Sequence, residues 1–172
     1  MIDKMMRPMA LVIGVILASL GAQAKGRLVQ TPVSGYPAGS IVVFEKEKAL
    51  YFVMGESSIR YPVATGKEGQ RWTGYARVQS KHWKPAWAPP AVVRRDNPDI
   101  PDYIASGDPR NPMGLAALVL DRDQFAIHGT TQAGRSSIGT AASYGCVRML
   151  NEDIADLYAR TSVGALVVML RR

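Results

Sequence analysis

The chain of 172 residues carries a formal charge of +7, is 47% apolar and 20% charged, and contains one cysteine. That balance excludes an intrinsically disordered chain, and a single cysteine excludes an internal disulfide framework. The basic residues are spread along the chain, with no basic helix or zinc-finger spacing, so the charge suits an anionic cell envelope better than nucleic acid.

The first 24 residues read as a secretory leader. Lys4 and Arg7 precede the apolar run Met9–Leu20, and "GAQA" follows, with Ala22 and Ala24 at the small-residue positions of a processing site. Cleavage is expected after Ala24, which would export the protein to the periplasm or cell envelope. A retained anchor is the alternative, although a run of about 12 apolar residues falls short of a bilayer span. Residues 25–38 are turn-rich and polar, an exposed lead-in to one domain over 39–172.

From Ser40 the pattern changes to short β-branched and aromatic runs. Ile41–Phe44, Ala49–Met54 and Ser58–Val63 are predicted strands joined by "EKEK" and "GES" turns, and "YARVQS" is a further candidate. Residues 81–103 carry five prolines and are predicted as one long irregular loop, neither sheet nor helix, with His82 inside it. Trp83 and Trp87 flank this loop as candidates to line a groove for a peptide or glycan; pinning the loop to the domain body is the other reading. "AALVLDRDQFAIHG" resumes the strand pattern, and residues 129–145 form a Gly/Ser/Thr/Ala-rich loop. The one predicted helix follows Asn151 as N-cap, with Glu152 and Asp153 in its first turn and Ile154, Leu157 and Tyr158 on one apolar face. "ALVVML" is a final buried strand. The fold class is mainly β, a sandwich or barrel with one short C-terminal helix and long loops.

The lone Cys146 lies in "SYGCVRM". His128 ends an apolar run 18 residues earlier, Gly145 permits a tight turn, and Arg148 follows two residues later. A thiol becomes a strong nucleophile when ionised, and an imidazole, a guanidinium or a helix start nearby each favours ionisation. Cys146 is therefore expected to be accessible and reactive, with the N–H groups of Gly145 and Cys146 as a candidate oxyanion hole. A buried bystander thiol is the alternative. No His/Cys/Asp cluster has the spacing of a metal site.

"IHGT", a glycine-rich spacer and "SYGCVRM" together resemble the signature of the L,D-transpeptidase (YkuD-type) catalytic domain. "YPVATGK" at 61–67, "PAWAPP" at 85–90, "NPMGLAALVL" at 111–120, "DIADLY" and "VGALVVML" are similar to further family blocks in the same order, over about residues 39–170. The resemblance implies a YkuD-like β fold and a cysteine acyltransferase of the bacterial cell wall. Cys146 would attack a peptidoglycan tetrapeptide stem, release D-alanine and pass the acyl group from a thioester to an amine, on a second stem peptide or an envelope protein. It implies His128 as general base, the Gly129 carbonyl as its orienting group, Ser143 and Gly145 as supporting positions, and Arg148 as a steering cation. It implies no cofactor, since thioester chemistry needs neither metal nor nucleotide. The chain departs at Tyr144, where the family usually has a second histidine; tyrosine is a poor base near neutral pH, so a positioning role is expected there. A same-fold carboxypeptidase or hydrolase, and an inactive wall-binding domain, are the alternatives. A sortase is disfavoured by the short His-to-Cys spacing.

Overall fold

The computed structural model describes residues 26–172, and the expected leader lies outside the described residues. Strands dominate, with one main helix, as the apolar patterning requires. Strands β2 (Ile41–Phe44) and β3 (Ala49–Val53) pair antiparallel and are buried at every position. Their continuous apolar runs therefore need cover on both faces of the sheet. One face meets the main core around Ile41, Leu50, Tyr61, Leu118, Ile127 and Leu157. The other meets a second cluster of Val42, Phe44, Tyr51 and Val168, against which Val29, Val33 and Tyr36 pack.

Residues 26–38 are mostly exposed, and they also help cover that second face. Within this segment, β1 (Arg27–Gln30) pairs antiparallel with β4 (Ser57–Pro62), and the following turn lays Val33 and Tyr36 over the sheet. The segment is turn-rich, but its few apolar residues are needed to close the outer cluster.

Strand β6 (Gly74–Trp83) organises the rest. Its first half pairs with β11 (Leu166–Leu170), which also runs parallel to β2; its second half pairs with β7 (Ala116–Leu120), with a register shift between Val78 and Ser80. A bulge bends a strand and increases its twist. β8 (Ala126–His128) and β10 (Val147–Arg148) complete a nine-stranded sheet in the order β1-β4-β3-β2-β11-β6-β7-β8-β10. A small second sheet joins β5 (Thr65–Gly66) to β9 (Ala141–Ser143).

β6 runs through "KHW", so His82 and Trp83 belong to a strand, not to the proline-rich loop. The loop contains a helix as well: α1 (Ala91–Asp96) starts directly after Pro89 and Pro90. Proline removes a backbone donor, which is harmless at a helix start, where the donor has no intrahelical partner. The prolines that exclude a strand therefore initiate a helix.

The main helix, α2 (Asn151–Arg160), buries Ile154 and Leu157 as its periodicity predicts. Its N-cap is Leu150, not Asn151, and no side chain caps it. Asn151 Oδ1 instead accepts from the backbone N–H groups of Leu115 (2.9 Å) and Thr130 (3.2 Å). A Cβ at Gly114 or Gly129 would fall on that oxygen, so glycine is required at both places. One amide thus ties the entry of β7, the exit of β8 and the start of α2 together. Asn151→Ala strands two amide donors and is expected to cost about 2 kcal/mol in denaturant unfolding, while Asn151→Asp, which keeps an acceptor, should cost less.

Candidate active site

β8 and β10 run parallel in the register Ile127↔Val147 and His128↔Arg148. Side chains alternate along a strand, so His128 and Arg148 share a face, and Cys146, two residues before Arg148, shares it too. The parallel ladder therefore converts an 18-residue separation into adjacency. All three line one cavity of about 490 Å³, with Tyr144, Trp87 and Phe125 among its other walls. Ala64 exchanges backbone hydrogen bonds with Arg148 on the far side of β10 (2.8 and 2.9 Å), and the Met149 N–H donates to the His128 carbonyl (2.8 Å).

The turn before the thiol is fixed by three contacts. Gly145 has φ +114°, and a Cβ there would meet Phe125 and the Gln70 carbonyl. Ser143 Oγ donates to the Cys146 carbonyl (2.6 Å) and accepts from the Gly145 N–H (3.1 Å). Trp72 Nε1 donates to the Gly145 carbonyl (3.2 Å). Gly145 N–H is thus committed within the turn, which corrects its assignment as an oxyanion donor: its role is to shape the turn.

His128 is 4% exposed. Its Nδ1 lies 2.7 Å from the Gly129 carbonyl. A carbonyl only accepts, so Nδ1 carries the proton and Nε2 keeps its lone pair. Burial, followed by the Arg148 charge, lowers the imidazole to about 4, against the pull of the Gly129 carbonyl. The His128 imidazole is thus neutral at ordinary pH.

The thiol differs from the sequence expectation. Cys146 is half-buried, and Sγ makes a 3.6 Å contact with the Gln124 carbonyl. Burial raises its pKa, and the Ala126 backbone and the Arg148 charge oppose this only in part. The cation is present, but desolvation outweighs it. The resting pair is therefore neutral thiol and neutral imidazole.

Arg148 is a partly buried guanidinium whose Nη1 donates to Ser137 Oγ (3.0 Å) and whose Nε is buried without a partner. Among the described residues no carboxylate pairs with it, and burial lowers its pKa. Trp87 lines the cavity, but Trp83 does not: it is 50% exposed, with its ring edge-to-face against Tyr158 of α2 at 5.5 Å. Trp83 is the residue that pins the end of β6 to the helix. His82 is exposed and bonds Ser80 Oγ (2.9 Å).

Tyr144 carries contacts that the sequence does not announce. Lys67 Nζ lies 3.9 Å from the centre of its ring, and Lys67 also pairs with Asp96 at 3.6 Å. Arg95, first, and then the Tyr144 hydroxyl lower the Asp96 carboxyl below its usual range. Asp96 ends α1, so Lys67 links the Tyr144 ring in the thiol turn to the helix beside the cavity. Lys67, Trp72, Asp96 and Asn151 are the supporting residues that sequence reasoning missed. "YPVATGK" placed Lys67 in a matched block, but nothing local pairs it with Tyr144. Among the described residues no three His, Cys, Asp or Glu side chains gather as a metal site.

The charge state is open to test. The folded His128 value lies below the ordinary 6.5, so between about pH 6.5 and 4 the unfolded chain binds a proton that the folded chain does not. Stability contributed by His128 is complete above that window and falls as pH drops through it. Relative to His128→Gln, the protein should lose stability between those pH values, and its imidazole NMR signals should titrate near 4. Alkylation of Cys146 at pH 7 should be slower than that of a model thiol.

The L,D-transpeptidase catalytic domain (YkuD) model matches residues 38–169. The probable L,D-transpeptidase YbiS of Escherichia coli K12 is 36% identical over 137 residues, which cover 74% of this chain and 43% of that protein. The chain thus spans less than half the length of that relative. The catalytic domain of an Enterococcus faecium L,D-transpeptidase, solved acylated by ertapenem, superposes with TM-score 0.58 at 13% identity over 79% of this chain and all of that one, a likeness of fold. A Brucella melitensis protein described as a probable carnitine operon oxidoreductase is 35% identical, with TM-score 0.54, over 87% of this chain and 96% of its own. With the family model covering most of the strands, the cavity and the thiol turn, the chain belongs to the L,D-transpeptidase (YkuD) family.

Proposed function

We propose that this protein is an exported peptidoglycan L,D-transpeptidase that uses Cys146 as nucleophile and His128 as general base. The observation that carries the reading is the cavity's unpaired cation. Arg148 stands opposite His128, on the face it shares with Cys146, and its Nε has no partner. A partly buried guanidinium without an anion is costly unless a ligand supplies one. A peptide stem ending in a free carboxylate is such a ligand, and its binding beside Arg148 would bring the preceding carbonyl toward Sγ.

The proton inventory fits acyl transfer. Sγ gives its proton to His128 Nε2 as it attacks the carbonyl carbon; the imidazolium then protonates the departing amine of D-alanine, leaving a thioester on Cys146. An incoming amine loses its proton to the same nitrogen and expels the thiolate. Burial makes both resting groups neutral, so charge appears only as the reaction proceeds. The Gly129 carbonyl, fixed by the Asn151 clamp at the next residue, holds the imidazole and stabilises the cation that forms. Tyr144 positions the turn. The acceptor, a second stem or an envelope protein, is reached through the same thioester. The leader sequence supports export to the envelope, where both substrates reside.

The test is incubation with a tetrapeptide muropeptide and mass analysis of the products. Cross-linked dimer with release of D-alanine is expected; tripeptide alone would mean that water is the acceptor, and no product would overturn the reading. Cys146→Ala should abolish turnover, and His128→Ala should lower it by about 10²- to 10⁴-fold. His82→Ala should change little, and Tyr144→Phe, which keeps the ring under Lys67, should retain most acylation. A carbapenem should add one inhibitor mass to the protein and none to Cys146→Ala.

A further inference from the structure

A second cavity, of about 650 Å³, also reaches Cys146. It shares Trp87, Met113, Gln124 and Phe125 with the first, but His128 and Arg148 line only the first, while Arg94 and Arg122 line only the second. The thiol thus stands where two compartments meet, each with its own guanidinium. In the second, Arg94 is exposed and donates to the Pro89 carbonyl (2.6 Å). Arg122 is half-buried, and its Nε is buried without a partner. Among the described residues neither arginine forms an ion pair. Asp121, which precedes Arg122, accepts the Arg77 N–H instead (2.7 Å), and Asp123, which follows it, is exposed.

Aromatic rings hold Arg122 beside the thiol turn. Its guanidinium lies 4.9 Å from the centre of the Trp72 ring and 5.9 Å from that of Phe125. The two rings are themselves packed with centres 5.8 Å apart, and Trp72 Nε1 donates to the carbonyl of Gly145, the residue before the thiol. The cation of the second cavity is therefore tied to the same turn that carries the sulfur. Stacking occupies the flat faces of a guanidinium and leaves its rim of N–H donors for a planar anion. A partly buried guanidinium without an anion is costly unless a ligand supplies one. A carboxylate matches that rim with two parallel hydrogen bonds.

We infer that Arg122 determines specificity in the acceptor half-reaction, and that the second cavity takes an acceptor with a carboxylate on the carbon that carries its amine. This reading rests on the acyl-transfer chemistry of Cys146 and goes beyond it by assigning the chemistry of the acceptor. Once the thioester has formed, its acyl chain occupies the first cavity beside Arg148. An acceptor held by its carboxylate on Arg122 lies in the second, and its amine reaches across the sulfur toward the thioester carbon. Asp123 lines both cavities and attracts the ammonium form of the same acceptor, so the compartment suits a zwitterion. The ammonium first loses a proton to solvent. The neutral nitrogen then forms the new C–N bond and gives a second proton to His128 Nε2, and the C–S bond breaks. The departing Cys146 thiolate takes that proton back, which restores the neutral pair.

The test gives the purified protein a tetrapeptide donor and measures how the thioester divides between an added amine and water. Glycine and glycinamide serve as acceptors, compared at equal concentrations of free amine, because they differ only in the carboxylate. In the unsubstituted protein, the concentration that halves the tripeptide share should be about 10-fold lower for glycine, the difference expected of a hydrogen bond to a charged group. Arg122→Gln should remove that preference by lowering the glycine share alone. Arg122→Lys, which keeps a cation over the rings but not the planar rim, should retain only part of it. A tetrapeptide whose diamino acid bears a carboxylate beside its free amine is the second arm. Loss of dimer along with the glycine share in Arg122→Gln assigns the site to the stem's carboxylate; loss of the glycine share alone assigns it to free amino acids. An equal fall for glycine and glycinamide would reduce Arg122 to a prop for Trp72 and overturn the inference. So would a preference that survives Arg122→Gln, since the acceptor would then enter by way of Arg148. If Arg122→Gln does not fold, an undiminished preference in Arg122→Lys, or none in the unsubstituted protein, overturns it. Failure to release D-alanine would sink the acyl-transfer reading as well, whereas release with an unchanged division of products sinks this one alone.

Discussion

Two backbone amides ending on one side-chain oxygen hold the candidate site in register. Asn151 Oδ1 accepts from Leu115 and Thr130, and the backbone approaches it so closely that neither Gly114 nor Gly129 has room for a Cβ. Gly129 is also the residue whose carbonyl fixes the His128 tautomer. The orientation of the imidazole is thus set from the helix end, through a glycine that is glycine for steric reasons. His128 itself contributes a strand terminus; α2 and the turn before β7 set where its ring points. Loss of the clamp would act on the imidazole without touching the cavity.

The site stores its electrostatics in desolvation rather than in a preformed ion pair. Burial pushes the imidazole down and the thiol up, and the Arg148 cation works in opposite senses on the two, disfavouring imidazolium while favouring thiolate. Its influence on the thiol is smaller than that of burial. The arrangement keeps the lone thiol un-ionised at rest, and so less prone to oxidation than a thiolate. It also leaves Arg148 uncommitted. An acidic residue beside it would relieve its burial and at the same time remove its attraction for an anion.

The strands, the helix and the identities of the thiol, imidazole and guanidinium were legible because each is carried by local pattern. β2 and β3 are unbroken apolar runs, α2 has helical periodicity, and "SYGCVRM" holds its glycine next to its cysteine. What the sequence left hidden is partnership over long range. The lead-in is mostly exposed, as its turn residues suggest, yet Val29, Val33 and Tyr36 cover a sheet face that β2 and β3 cannot leave wet. Proline count argued against structure at 81–103, but proline penalises helix interiors and strands, not helix starts, and α1 begins after Pro90. Trp83 and Trp87 looked equivalent flanking a loop; one ends a strand against Tyr158 and the other lines the cavity. Asn151 read as a cap because that is what asparagine does locally, whereas its amide serves two distant segments. The thiol's charge state was misjudged for a related reason: the cation is visible in sequence and the desolvation is not.

Tyr144 brings these strands of argument together. An aromatic ring beside Gly145 can be held by a cation over its face, and here that cation comes from a segment far away, Lys67 after β5. Lys67 also pairs with Asp96, so the contacts run from the ring through Lys67 to the end of α1. Tyr144, held through Lys67, thus ties the thiol turn to the helix beside the cavity, and His128 is the only imidazole among the described cavity walls.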